Sequence, residues 1–345
     1  MIFPNPASKT LEHQNGDHAD YSLTSSDRSY TSGLNINQIA VGPKDSSVIH
    51  IVCTGPQGGG TRLLISNDSG ATFLKEAEYP SDQIILLAYA DGAPLVIGSM
   101  GVFRGRSASA KPIAGPSEKI VNATAGELNG KTVLYATTVK GTLSVSEDDG
   151  ETWQSRTPAL GQESGKFGAI AASAHHGQTA YVGFRGLKLG DSPDNLYNGI
   201  VETADAGRHW SIIFRGSTQP ALNLDASWIE QCAVGTDWGT DKSIIFDAPY
   251  SLAVAPGNPD ICYATDLFRT YRTLDGGATW AQVNSVRLTD NHWTTRGLDV
   301  TTAYGVQFDP FDPSHIFIDY TEIGAFQSTD AGQSWQSATN GIPDA

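Results

Sequence analysis

Five segments of this chain repeat one pattern, Ser/Thr-x-Asp-x-Gly-x-x-aromatic, each preceded by a short β-like run. They run from Ser66 through Asp68 and Gly70 to Phe73, from Ser146 through Asp148 and Gly150 to Trp153, from Thr203 through Asp205 and Gly207 to Trp210, from Thr273 through Asp275 and Gly277 to Trp280, and from Ser328 through Asp330 and Gly332 to Trp335. One copy is weak evidence, but five in register define a repeat architecture. The pattern explains its own residue types. The aspartate accepts hydrogen bonds from turn N–H groups, the glycine supplies a positive φ, and the aromatic fills a seam between sheets. Asp68, Asp148, Asp205, Asp275 and Asp330 are therefore read as structural hairpin staples.

The repeat aspartates are separated by 80, 57, 70 and 55 residues, and the first gap has room for a unit without the turn. Its strands are expected at 83–89, 94–98 and 102–106. Elsewhere a unit shows two strands around a Pro/Asn/Asp turn, as in 252–256 followed by 260–264, and 306–310 followed by 315–319. Six units of about 52 residues make an all-β propeller. Residues 1–30 are read as an irregular N-terminal extension and 31–345 as the propeller. The closing Asn340-Gly341-Ile342-Pro343 resembles a lead into another blade. Either residues 36–42 close a six-bladed ring, or a seventh blade lies beyond Ala345, with or without a second propeller.

Composition agrees. With 37 Gly, 17 Pro and only 2 Met in 345 residues, turns are frequent and long helical periodicities are missing. A net charge of −15 repels phosphate backbones and anionic lipid, which argues against nucleic acid and membrane partners and for a neutral or cationic ligand. No apolar run approaches the roughly 18 residues of a membrane span, and 1–30 lacks the charged-then-apolar build of a secretory signal. Cys53, Cys232 and Cys262 suit neither a disulfide framework nor a zinc site, although Cys232 with Cys262 leaves one bridge open.

In a four-stranded blade the connection between second and third strands emerges on the face opposite the third-to-fourth hairpins, so chemistry is expected opposite the repeat turns. Three tryptophans outside the repeats, Trp228, Trp238 and Trp293, fall in the long insertions 215–247 and 284–304. They read equally as platforms for sugar rings or as packing for the insertions. Two acids occupy matching places, Asp266 nine residues before one repeat aspartate and Glu322 eight before the next. Carboxyls on neighbouring blades suit the base and acid of glycoside hydrolysis. The alternative is a solvated acid, or one paired with Arg269 or Arg296. Glu230, Asp237, Asp241 and Asp299 are weaker competitors.

The five turns make the chain resemble the Asp-box propellers of bacterial neuraminidases, sortilins and xyloglucanases along nearly its whole length. The segment Tyr263-Ala264-Thr265-Asp266, with Tyr271-Arg272, resembles the Tyr-Ala-Arg-Thr-Asp-x-Gly-Gly-x-Tyr-Arg stretch of family-74 glycoside hydrolases. This chain lacks the arginine before Thr265 and has Leu267-Phe268-Arg269 where that family has a residue and two glycines. The resemblance implies that Asp266 is the general base of an inverting enzyme outside the cytoplasm, in the extracellular space or the periplasm. It also implies polysaccharide or oligosaccharide as partner; with Tyr271 of that segment, the loop residues Trp228, Trp238, Trp293, Arg269 and Arg296 are the side chains expected to contact it. In those enzymes a second propeller contributes the acid, so here Glu322 takes that role or a further propeller supplies it. The other class is a non-catalytic glycan- or protein-binding propeller, like sortilin-type receptors or the propeller that assists photosystem II assembly. A sialidase-like exo-glycosidase ranks lower, because no Arg-Ile-Pro occurs, although Arg185, Arg269 and Arg296 are available for a carboxylate.

No cofactor or metal is implied. The chain has no Gly-rich phosphate loop, His-Glu-x-x-His or Gly-x-Ser-x-Gly. His175-His176 sits in an expected turn beside Gly177 and reads as solvated. Asp191, Asp194 and Asn195 offer oxygens for calcium but in no known loop spacing.

Overall fold

The computed structural model describes residues 35–54, 60–79, 84–90, 92–104, 114–160, 166–188, 196–216, 224–225, 249–266, 270–288, 292–296, 303–320 and 324–338. Among them every regular element is a strand, and the sheets follow one another in chain order. Blade 1 is β1 (Asn35–Val41), β2 (Ile49–Thr54), β3 (Thr61–Ser66) and β4 (Leu74–Tyr79). Blade 2 is β5 (Ile84–Ala90), β6 (Ala93–Gly98) and β7 (Gly101–Arg104), with Ala114 bridged to Val102 at its outer edge. Blade 3 is β8 (Ile120–Leu128), β9 (Lys131–Thr138), β10 (Leu143–Ser146) and β11 (Gln154–Ser155). Blade 4 is β12 (Lys166–Ala172), β13 (Ala180–Lys188), β14 (Leu196–Thr203) and β15 (Ser211–Gly216).

After β16 (Leu224–Asp225), blade 5 is β17 (Ser251–Ala255), β18 (Asn258–Thr265), β19 (Thr270–Thr273) and β20 (Trp280–Gln282), with β16 parallel to β20 at its edge. A two-stranded hairpin, β21 (Ser285–Arg287) and β22 (Trp293–Thr295), leads into blade 6, which is β23 (Ala303–Phe308), β24 (Ile316–Tyr320), β25 (Gly324–Ser328) and β26 (Gln336–Ser337). Each blade is an antiparallel meander, and the first strands of blades 1 to 5 touch in succession: β1 against β5, β5 against β8, β8 against β12, β12 against β17. First strands side by side along a common axis are the arrangement of a β-propeller.

Each repeat turn closes the third-to-fourth hairpin of its blade, and all five share one hydrogen-bond set. The leading Ser or Thr hydroxyl donates to the aspartate Oδ1 at 2.6–2.9 Å and accepts the N–H of the glycine at 2.8–2.9 Å. The same Oδ1 accepts a backbone N–H four residues on, at 2.8–2.9 Å. The glycines have φ between 81° and 88°, and the residue before each is also left-handed, at 58° to 66°. That preceding residue gives its N–H to a carbonyl in the turn between the first and second strands of its own blade (Ser47, Gln178, Ser314) or at the start of the second strand (Thr132, Asp260), over 2.9–3.1 Å. One rim therefore carries both kinds of turn, tied together by these bonds.

The seams between blades carry the core. Val52, Leu63 and Tyr79 meet Ile84, Val96 and Phe103 between blades 1 and 2. Leu95, Ile97 and Val102 meet Ile120 and Leu134, with Trp153 beside them. Val133, Tyr135 and Val145 meet Phe167, Val182 and Phe184, and Tyr181, Ile200 and Phe214 meet Cys262, Tyr271 and Trp280. Three of the repeat aromatics, Trp153, Trp210 and Trp280, fill these seams as the sequence predicts, whereas Phe73 packs within blade 1 on Ile51, Cys53 and Leu64; the Trp210 Nε1–H donates to the Arg156 carbonyl of the preceding blade at 3.0 Å, and that of Trp280 to Ile213 at 3.3 Å. Polar links reinforce them. Arg104 of blade 2 pairs with Asp149 (3.5 Å) and Glu151 (3.2 Å) of the blade 3 turn. Tyr135 donates to the Gly177 carbonyl of blade 4 at 2.7 Å and Tyr181 to the Pro259 carbonyl of blade 5 at 2.9 Å. Cys53 and Cys262 are buried free thiols, burial pushing the Cys262 thiol up to about 12; Cys232, the other end of the open bridge, lies outside the described residues.

Candidate functional site

Antiparallel pairing fixes which end of blade 5 carries Asp266. At one end Cys262 pairs with Thr273, where the repeat turn begins; at the other Thr265 pairs with Thr270. Asp266 is the next residue, on the second-to-third connection and so on the rim away from the staples. It is half-buried, and the Tyr271 hydroxyl lies 3.5 Å from its Oδ2. Tyr271 is only 3% exposed, its ring packed against Phe214 of blade 4 with centroids 5.4 Å apart. This side chain, expected to touch ligand, instead buries its ring in a seam and presents its hydroxyl to the carboxylate. Ordered packing below and a polar tip above suit a group that orients Asp266.

Glu322 lies outside the described residues. In the chain it falls between β24 and β25, as Asp266 falls between β18 and β19. Trp228, Trp238, Arg269, Glu230, Asp237, Asp241, Asp299, Asp191, Asp194 and Asn195 also lie outside the described residues. Arg296 follows β22 with an exposed side chain, its N–H bonded to the Asn284 carbonyl at 2.7 Å. His175 and His176 are in the turn between β12 and β13, as expected, with the His175 N–H bonded to the Pro256 carbonyl of blade 5.

Trp293 is not where an open-rim platform would be. It is 6% exposed, and it exchanges two backbone hydrogen bonds with Trp335, the aromatic of the fifth repeat, at 2.8 and 2.7 Å. The physical reason is the hairpin β21–β22, which folds back from the inter-blade insertion and pairs with blade 6 near its repeat turn. The Arg287 guanidinium caps the indole, 5.8 Å from the ring centroid. Trp293 is thereby one wall of a cavity of about 330 Å³, lined also by Thr294, Thr295, Ile318, Tyr320, Phe326 and Trp335. The sequence reading missed this cavity. The signal was faint, because strands of three residues are too short to show an alternating pattern.

No protein-family model matches the chain. No curated protein sequence matches it either. Among solved structures it is similar to a GH74 enzyme of Niastella koreensis, with 12% identity and a TM-score of 0.38, covering 89% of this chain and 59% of that one. It is similar to the GH74 xyloglucanase from Xanthomonas campestris, with 14% identity and a TM-score of 0.38, covering 95% and 63%. It is also similar to YCF48 bound to D1 peptide, with 14% identity and a TM-score of 0.45, covering 87% and 80%. The chain thus spans less than two thirds of the length of either GH74 enzyme. With TM-scores this low, the propeller fold stands on the chain's own sheet order, first-strand contacts and seams.

Proposed function

We propose that this propeller handles polysaccharide outside the cytoplasm and that Asp266 is the base of an inverting glycoside hydrolase, with Glu322 as the acid. The observation that carries the reading is the position of Asp266: a half-buried carboxylate beside the Tyr271 hydroxyl, one residue past the end of β18, on the rim free of staples. In an inverting reaction such a carboxylate takes a proton from water as the water attacks the anomeric carbon, while a second carboxyl protonates the departing oxygen. The two carboxyls must stand roughly 6.5–9.5 Å apart to admit that water.

The test is reducing-end release by the purified chain from xyloglucan, mixed-linkage glucan and sialosides, compared with Asp266→Asn. The expected outcome is release from a neutral glucan that falls by roughly 10²-fold or more in the variant, with an unchanged melting temperature. Equal release by both proteins would remove Asp266 from the chemistry. A second reading, glycan binding without hydrolysis, is favoured by the aromatic cavity beside blade 6, lined among the described residues by Trp293, Trp335, Phe326 and Tyr320. It predicts binding with no reducing ends released by either protein.

A further inference from the structure

The seam between blades 5 and 6 is built differently from those before it. In blades 3 and 4 the tyrosine three residues after the turn-accepting carbonyl crosses to the next blade, Tyr135 to Gly177 and Tyr181 to Pro259. Tyr263 holds the same register in blade 5, three residues after Asp260, yet its side chain is 39% exposed. The repeat glycines tell the same story. A Cβ on Gly277 would meet Ile213 of blade 4 at 2.5 Å, and one on Gly150 would meet Val102 of blade 2 at 3.1 Å, whereas one on Gly332 meets, among the described residues, only its own blade, Trp335 at 3.7 Å and Ile316 at 3.9 Å. Blade 6 is joined through the hairpin β21–β22 instead, and the space between hairpin and sheet is the cavity.

We propose that this seam cavity is a binding site for a neutral pyranose unit, distinct from the Asp266 carboxylate; only the choice of saccharide as ligand rests on the reading above. Its volume of about 330 Å³ is at the small end of ligand pockets, which span roughly 300–1,000 Å³. Its chemistry is mixed in the way a sugar ring requires. Trp293, Trp335, Phe326 and Tyr320 among its lining residues supply aromatic surface for ring C–H groups, and Thr294, Thr295 and Tyr320 are the hydroxyl-bearing residues of the same lining. Among the described residues that line it, none is charged. The reciprocal Trp293–Trp335 backbone bonds fix two of the walls before any ligand arrives, so little ordering opposes binding. Along β24 the cavity runs from the level of Trp335 at the stapled end to Tyr320, the last residue before the opposite rim.

The experiment titrates cellotriose and, separately, sialyllactose into the full chain carrying Asp266→Asn, so that no probe is consumed, and reads tryptophan fluorescence and calorimetric heat. Cellotriose should bind and sialyllactose should not. Two further changes are added singly: Trp293→Ala removes a wall, and Thr294→Phe fills the space with a residue that β22 tolerates. Each should weaken cellotriose binding by roughly tenfold or more, with Thr294→Phe leaving the melting temperature unchanged. The proposal is overturned if cellotriose gives no signal, if sialyllactose binds as well, or if Thr294→Phe binds cellotriose with unaltered affinity. Failure of the hydrolysis reading leaves these outcomes untouched, because none depends on turnover.

Discussion

Asp330 shows how much one carboxylate does in this architecture. Ser328 and Ser334 donate their hydroxyls to it at 2.7 and 2.6 Å, and the Ser334 N–H adds a third bond at 2.8 Å. Hydrogen bonds to the charged form, that of the Ser334 hydroxyl foremost, hold its pKa down from the ordinary 3.8 to about 2, and Asp68 is held at about 2 in the same way by Ser66 and Thr72. A depressed folded-state pKa contributes stability above the unfolded value, and that stability is lost as pH falls toward the folded value. The melting temperature should therefore drop between about pH 4 and pH 2, and calorimetry across that window should show a shallower drop for Asp330→Asn, which has no charge to lose. The aspartate and the glycine of each turn were legible in the sequence because their chemistry is specific. The left-handed residue between them was not. It is Ser69, Asp149, Ala206, Gly276 or Ala331, and its conformation is imposed by the bond from its own N–H to the neighbouring turn rather than by its side chain.

Blades and seams are the level at which the glycine and tyrosine positions become predictive. Gly277 and Gly332 have nearly the same φ, 88° and 86°, so alanine at either meets the same left-handed strain of roughly 1–2 kcal/mol. Only at Gly277 does the new methyl run into a packed neighbour, Ile213, which adds about 1–3 kcal/mol of overpacking. Chemical denaturation should find Gly277→Ala the more destabilised by that difference, and equal losses would mean that the two seams are equally tight. In the same spirit, Tyr181→Phe should cost about 1–3 kcal/mol, because the Pro259 carbonyl loses its donor inside a seam, while Tyr263→Phe should cost almost nothing. The strands themselves were well anticipated. Those of the unit without a repeat turn, expected at 83–89, 94–98 and 102–106, are β5 at 84–90, β6 at 93–98 and β7 at 101–104. Alternation of apolar residues between Gly, Pro and Asp turns sufficed there. The hairpin β21–β22 escaped because it is held by pairing with blade 6, a tertiary contact without a local signature.

For the whole molecule, the chain order of sheets and the one-sided placement of five staples divide labour between two rims. One rim is locked by the bonds that tie each repeat turn to its blade's first turn, and the other is left to vary. That division was readable from repeat spacing alone, since counting four strands per unit assigns each connection to a rim. Which side chains gather on the variable rim was less readable, because long insertions position them through packing that no period encodes; Tyr271 turning inward and Trp293 pairing with Trp335 are the two instances. Blade 5 carries both rims within a dozen residues, and it offers the most direct measurement. Asp266→Asn and Asp275→Asn are made separately, and polysaccharide hydrolysis per folded molecule is measured beside thermal unfolding. The division of rims predicts that the change at 266 abolishes hydrolysis at an unaltered melting temperature, and that the change at 275 lowers the melting temperature while the molecules that remain folded keep full activity. Loss of activity at 275 without loss of stability, or loss of stability at 266 with activity retained, would contradict it.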